Sequence, residues 1–320
     1  MSGINQKRPF FAWPILLIAL FAVSSAGTIL QSMEEIPPFL RASWRMQGTS
    51  FILLPLFLFQ IIKSDAYKLS VQDIKLLFLS SIFLALHFGS WVWSLDNTSL
   101  VHSLLFVTTH PIIIVLMMPI LGSSVSKSHI VGAFLGVFGA IITFGDIEKG
   151  SEITFIGDLA AFMGAVTVVG YMFIGRHLRS KRQMPVFVYA FPVTFGAGIW
   201  LAFSALLFEP VSISDTVPES ELFGWMDSVW LLWVFYLSLG PGLAGHTGIN
   251  TVLKWFPPIL VSVVLLFEPV IGGLIGWLFT KQITLGYWTL LGGPIMLIGA
   301  IIVTIEENNV NITRNQLSDE

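Results

Sequence analysis

Long apolar runs separated by short polar breaks make up most of this chain. Leu, Ile, Val, Phe and Gly fill ten stretches, about 12–31, 39–62, 74–95, 99–120, 128–145, 155–176, 186–207, 229–250, 257–279 and 285–305. Roughly 20 helical residues cross the hydrocarbon core of a bilayer. Backbone at that depth must satisfy its own hydrogen bonds, so each run predicts a helix. The first run begins at Phe10 behind Lys7 and Arg8, and Ser24-Ser25-Ala26 would suit cleavage of a leader. Its apolar character continues through Ile29 and Leu30, long enough to span, before Glu34, Glu35, Pro37 and Pro38 turn the chain. A retained first span is therefore expected.

Composition narrows the class. Hydrophobic residues are 55% and charged residues 11% of 320, and the mean hydropathy is +0.83. Soluble chains carry about 25% charged residues. The runs leave no room for a soluble catalytic domain of normal size, and the reading is an all-α integral membrane protein. Cysteine is absent, which excludes disulfides, thiol catalysis and cysteine metal sites. With the N-terminus in the cytoplasm, twelve of the sixteen Lys and Arg residues fall on the cytoplasmic side. The positive-inside rule then puts both termini in the cytoplasm, most simply at a plasma membrane. Loop 208–228 holds five acids and no Lys or Arg, which suits the outer face. Trp13, Trp44, Trp225, Trp230, Trp255 and Trp288 fall near span ends, as an aromatic belt would. The basic run Arg176 to Arg182 reads as the anchor of the central cytoplasmic loop, and no nucleic-acid partner is expected.

The chain repeats itself. His87 and His246 are 159 residues apart, Pro111 and Pro269 158, and Gly139-Ala-Ile-Ile and Gly299-Ala-Ile-Ile 160. Five helices per half make the second half enter the membrane from the opposite side. Ten transmembrane helices as two inverted five-helix repeats follow, covering 1–147 and 148–306, with 307–320 as a cytoplasmic polar tail. Inverted repeats of this kind place a substrate where the halves meet, near the midplane.

The polar residues inside the runs are candidates for that site. His87, Ser90, Trp91 and Ser94 share one helical face. His110-Pro111 and Glu268-Pro269 each put an ionisable residue before a proline near a span centre. Proline cannot donate to the carbonyl four residues back, Val107 or Leu265, so both positions predict helix breaks. A charge at the centre of a span costs about 2.5–3.5 kcal/mol or more, so Glu268 should be protonated, paired or facing water. His110 occupies the matching place and is its expected partner, and the two make a candidate proton-coupling pair. Gly242, His246 and Asn250 recur every four residues in the eighth span. The substrate-binding set is thus His87, Trp91, Ser94, His110, His246, Asn250 and Glu268. Asp158 reads as an N-terminal helix cap or an interfacial residue. Arg41 and Arg45 would snorkel to the interface, or Arg45 turns inward to meet an anion or Asp158. Gly132, Gly136 and Gly139, and Gly292, Gly293 and Gly299, read as packing faces between halves or protomers, which allows a homodimer.

Leu86-His87-Phe88, Trp91, Ser94-Leu95, Thr98-Ser99 and Thr108-Thr109-His110-Pro111 resemble the first half of an EamA-type transporter of the drug/metabolite transporter superfamily. Gly245-His246-Thr247, Asn250, Pro257-Pro258, Ser262, Glu268-Pro269 and Gly272 resemble its second half, and Gly157-Asp158-Leu159 is similar to the start of the second repeat. Arg45 looks like the arginine often found in the second helix. The resemblance implies a ten-helix fold with a central cavity that exports or exchanges small organic solutes. The family often ends its fourth and ninth helices with Gly-Glu; here those places hold Gly122-Ser123 and Thr280-Lys281. The expected function is a secondary transporter of a small organic metabolite (amino acid, amine, nucleobase or drug-like solute) working by alternating access. No cofactor or metal is expected, and no spacing supports an enzyme. The competing reading is a membrane receptor or scaffold of the same fold that transports nothing.

Overall fold

The computed structural model describes residues 9–63, 67–117, 119–120, 125–146, 153–280 and 286–316. Gly122, Ser123, Lys149 and Lys281 lie outside these. Among the described residues the chain forms fourteen α-helices and no sheet, with a lone bridge between Ser212 and Glu221. The first span is α1 (Ala12–Ser24) and α2 (Ala26–Gln31), separated at Ser25. Then come α3 (Pro38–Lys63), α4 (Val71–Leu95), α5 (Leu100–Val107), α6 (His110–Met117) and α7 (Lys127–Thr143). The rest is α8 (Phe155–Arg176), α9 (Val186–Phe208), α10 (Ser228–Leu237), α11 (Gly248–Val252), α12 (Pro258–Leu265), α13 (Glu268–Thr280) and α14 (Tyr287–Gln316).

Seven helical stretches are long and apolar enough to cross a membrane: 12–31, 38–63, 71–95, 100–117, 155–181, 186–208 and 228–252. Three of the ten expected spans fall short. Lys127–Thr143 has only 17 residues, the ninth is cut before Glu268, and the apolar part of the tenth is Tyr287–Val303. Beyond that point α14 stays helical through Gln316, so the polar stretch begins as helix rather than as a free tail. Large apolar side chains cover the outside, Phe51, Ile62, Phe134, Leu232 and Phe279 among them, as a surface solvated by lipid requires.

Starts and stops follow local chemistry. Ser70 and Asp73 form a capping box on α4, Ser99 caps α5 and Thr154 caps α8, each satisfying backbone donors that a helix start leaves open. The expected cap role of Asp158 is therefore wrong: Thr154 does that work, one turn earlier. Both histidine- or glutamate-proline positions coincide with interruptions. Thr108–Thr109 separate α5 from α6, and Leu266–Phe267 separate α12 from α13. Residues Ser238–Thr247, rich in glycine and holding Pro241, wind as π-helix between α10 and α11.

In the interior, α4 packs on α8 and α9, and α3 on α9. At one end of the bundle Arg41 pairs with Asp96 at 2.5 Å. Burial pushes the Asp96 carboxyl above its usual range against the pull of Arg41. Glu209 accepts from the backbone N–H groups of Phe39 and Leu40 and closes the start of α3. Loop 208–228 folds onto α3 there: Trp44 donates to the Leu222 carbonyl and Trp230 to Glu219. Trp44 and Trp230 are buried, so they are interior anchors and not members of an interfacial belt. At the opposite end Arg182 grips Asp73 through two bonds of 3.0 and 2.9 Å. Arg176 and Arg179 donate to the carbonyls of Leu253 and Asn250. The basic run thus ties the turn after α8 to α4 and α11.

The glycine faces of α7 and α14 meet each other. A Cβ on Gly139 would stand 2.6 Å from the carbonyl oxygen of Gly292, and one on Gly132 2.5 Å from that of Gly299. Only glycine allows backbones this close. Adjacent glycines make the test. Gly292→Ala drives a methyl into the Gly139 carbonyl, whereas a Cβ on Gly293 would meet nothing nearer than Leu105 at 3.7 Å. Gly292→Ala is expected to cost about 1–3 kcal/mol, and Gly293→Ala to be neutral or to add up to about 1 kcal/mol of helix propensity. Melting curves in detergent that rank the two variants the other way would refute the close packing.

Candidate functional site

The interruptions and the π-segment surround one cavity. Its wall takes Arg45 from α3, His87 and Trp91 from α4, His110 from the start of α6, Tyr171 from α8, His246 from the π-segment and Glu268 from the start of α13. Val23, Ala26, Val107, Val168, Met172, Ile249 and Leu265 fill the rest. His110 and Glu268 are the first residues of restarted helices, whose opening N–H groups lack intrahelical partners, and both line the cavity.

Aromatic rings hold the polar heads in place. The Arg45 guanidinium lies 4.3 Å from the centre of the Phe88 ring and 6.0 Å from that of Trp91, a cation–π arrangement worth about 0.5–2 kcal/mol. His87 stacks on Trp91 at 6.2 Å with planes 7° apart. It also places Nδ1 2.9 Å from the Gly164 carbonyl, which makes Nδ1 the protonated nitrogen. The His246 ring stands 5.0 Å from Phe88 and 6.1 Å from His87. Arg45 and Glu268 lie in each other's electrostatic field.

Several of these groups have no partner among the described residues. They are Nε, Nη1 and Nη2 of Arg45, Nε1 of Trp91, and Nδ1 of His110 and of His246. Arg45 is only 1% exposed and Glu268 8%. An unpaired buried polar group costs about 1–3 kcal/mol, and all of these border one space. Such an arrangement can receive a small solute with an anionic group toward Arg45, a cationic or donor group toward Glu268, and a flat apolar body between the rings.

The expected site is brought together in part. His87, Trp91, His110, His246 and Glu268 line the cavity, with Pro111 and Pro269 directly behind two of them. Ser94 does not: its hydroxyl donates to the Trp91 carbonyl and meets Ser103 at 2.6 Å, pinning α4 to α5. Asn250 does not either, because π-winding from 238 to 247 breaks the four-residue spacing assumed for that span. It reaches the cavity only through Tyr171, to whose hydroxyl it donates at 2.6 Å. His110 and Glu268 share the cavity, but the charged neighbour of Glu268 is Arg45. Arg45 faces inward and does not meet Asp158, which is engaged by Thr98 and His102. Arg41 is buried on Asp96 and does not snorkel. Tyr171 and the tie from Asp158 to His102 were missed. Tyrosine in an apolar run carries little signal, and residues 56 apart gave no reason to be paired.

A multi-pass helical membrane protein with a polar cavity at its helix breaks is the class these features define. Residues 12–145 match the EamA-like transporter family, so the resemblance read from the sequence holds over the first half of the chain. The match covers 134 of the 320 residues and is a likeness to that transporter family. A solved crystal structure superposes with a TM-score of 0.64 over 94% of this chain and 98% of its own, at 19% identity, which is a likeness of fold. No curated protein matches the sequence significantly.

The unpaired guanidinium yields a stability test. Arg45→Met removes a buried cation that has no hydrogen-bond partner among the described residues and forfeits its contacts with the Phe88 and Trp91 rings and the field it shares with Glu268. The variant is expected to be more stable than the parent by roughly 1–3 kcal/mol. A clear fall in the melting temperature would mean that Arg45 holds the fold and not a ligand.

Proposed function

We propose that the protein is a secondary transporter that moves a small organic metabolite across a membrane by alternating access. The observation that carries the reading is the set of unpartnered donors on Arg45, Trp91, His110 and His246 around one cavity that also holds Glu268. A scaffold that binds nothing gains no stability from unpartnered polar groups at its centre, whereas a transporter needs groups that exchange partners as the solute comes and goes. The family match over residues 12–145 supports the same class.

The architecture we infer is ten spans as two inverted repeats, 1–147 and 148–306, with both termini cytoplasmic. The paired interruptions before His110-Pro111 and Glu268-Pro269, and the mutual fit of α7 and α14, support it. The facing glycines join the two repeats within one chain, so a homodimer would have to use another surface. The substrate-contacting residues are Arg45, His87, Trp91, His110, His246 and Glu268, with Asn250 positioning Tyr171. Glu268 and His110 are the coupling residues, because they stand at the two helix breaks where a change of partner can bend a span. Among the solutes considered, one carrying both a negative and a positive group matches the cavity best.

Proteoliposome flux with a panel of radiolabelled metabolites tests the function. Glu268→Gln is expected to remove the stimulation of uptake by a pH gradient and to reduce the rate at least tenfold. Arg45→Gln is expected to abolish uptake of anionic and zwitterionic solutes. Full retention of the pH response in Glu268→Gln would exclude Glu268 from coupling. No flux of any solute above that of empty vesicles would overturn the transport reading itself.

A further inference from the structure

A second polar cluster lies away from the cavity, at the end of the bundle where α5, α8 and α14 begin. His102 is fully buried, and both ring nitrogens are engaged: Nδ1 stands 3.0 Å from Asp158 Oδ2 and Nε2 2.7 Å from Thr289 Oγ1. Thr98 donates its hydroxyl to Asp158 Oδ1 at 2.6 Å. Thr289 gives Asp146 Oδ2 both its hydroxyl and its backbone N–H, each at 2.7 Å, and Trp288 N–H reaches Oδ1 at 3.1 Å. Neither the expected central site nor the proposed transport cycle uses this chain.

Counting protons along it fixes its state. Burial pushes the Asp146 carboxyl up, but the three donors from Thr289 and Trp288 and the nearby His102 outweigh that and hold it below the ordinary value. An ionised Asp146 only accepts, so the single hydroxyl proton of Thr289 is committed to it. Thr289 Oγ1 can then meet His102 Nε2 only as an acceptor, and Nε2 must carry a proton. On the other side the Asp158 carboxylate takes the Thr98 hydroxyl on Oδ1 and faces the ring with Oδ2, an acceptor, so Nδ1 carries the second proton. Among the described residues Asp158 meets the ring directly and Asp146 through Thr289, and the Phe106 ring centre lies 6.2 Å away.

We infer that Asp158, His102, Thr289 and Asp146 form a proton-binding site, and that its proton clasps α5 between α8 and α14. Release of that proton to water leaves a neutral imidazole with one N–H. Its bare nitrogen then faces either the Asp158 carboxylate or a hydroxyl oxygen whose proton is spoken for, so one arm of the clasp lets go. The site would make the closure of this end of the bundle sensitive to pH, separately from anything bound in the cavity. The inference does not depend on the transport reading.

Histidine-15N NMR of the full-length protein in nanodiscs tests it. At neutral pH one imidazole is expected to show both nitrogens protonated, and that signal should vanish in His102→Gln. Should His102→Gln fail to fold, Thr289→Val keeps the ring and Asp158 and assigns the signal by shifting it alone. A neutral tautomer at His102 in the parent protein at neutral pH would overturn the proposal. The absence of cysteine allows a second readout: spin labels at Ile156→Cys and Tyr287→Cys, both at exposed positions. The 156–287 distance distribution should broaden over the same pH range in which the doubly protonated signal is lost. A distribution that stays fixed while the ring loses its proton would refute the clasp.

Discussion

A polar group at bilayer depth finds its partner inside the protein or destabilises it, because lipid offers none. The rest of this structure can be ordered by that constraint. Arg41 and Arg45 lie one helical turn apart on α3, both buried, and meet it in opposite ways. Arg41 takes Asp96 as its partner. Arg45 has an aromatic face and an acid within its field, but no hydrogen bond among the described residues. The histidines divide in the same manner. Both nitrogens of His102 are bonded, while Nδ1 of His110 and of His246 is not. Arg41 is joined to Asp96 through Nη2 alone, with Nε and Nη1 open, whereas no guanidinium nitrogen of Arg45 has a partner among the described residues.

The same constraint explains the irregular backbone. Interruptions and π-winding expose backbone groups, so in a membrane they persist only where protein or a polar cavity covers them. The breaks at Thr108–Thr109 and Leu266–Phe267 and the π-segment at Ser238–Thr247 all border the cavity. Along their apolar middle α7 and α14 are joined by glycines, where the backbones themselves are in contact.

Much of this was legible in the residue pattern. An apolar run with an ionisable residue before proline admits few explanations, so both breaks and the inward placement of His110 and Glu268 could be read directly. The helical face carrying His87 and Trp91 was legible because α4 is regular. Where the helix period changed, the reading failed: Asn250 was put on the cavity by a spacing that the π-segment does not keep. It failed again where partners are distant in sequence. Nothing local distinguishes Ser94 bound to Ser103 from a serine awaiting a solute, or Asp158 on His102 from a helix cap. Three spans were harder to read, because apolar length alone does not reveal where a helix is interrupted or how far it runs on, as α13 and α14 show. Arg45 was seen but left between two fates, since a residue near a span end can snorkel or turn in, and the deciding neighbours, Phe88 and Trp91, come from another helix.

The cavity and the His102 cluster are not independent pieces of the fold, because α5 runs between them. This helix is eight residues long, about 12 Å at 1.5 Å per residue. It carries His102 in its first turn and ends at the break that precedes His110. A helix this short is backbone-bonded throughout and is held to α4 by Ser103 and Ser94, so it is stiff along its length. Any displacement at its His102 end must be absorbed at Thr108–Thr109 or passed to His110. The break therefore does two things at once. It turns the imidazole of His110 into the cavity, and it forms the joint between the cavity and the end of the bundle. A continuous helix through 100–117 would have kept the span intact and lost both.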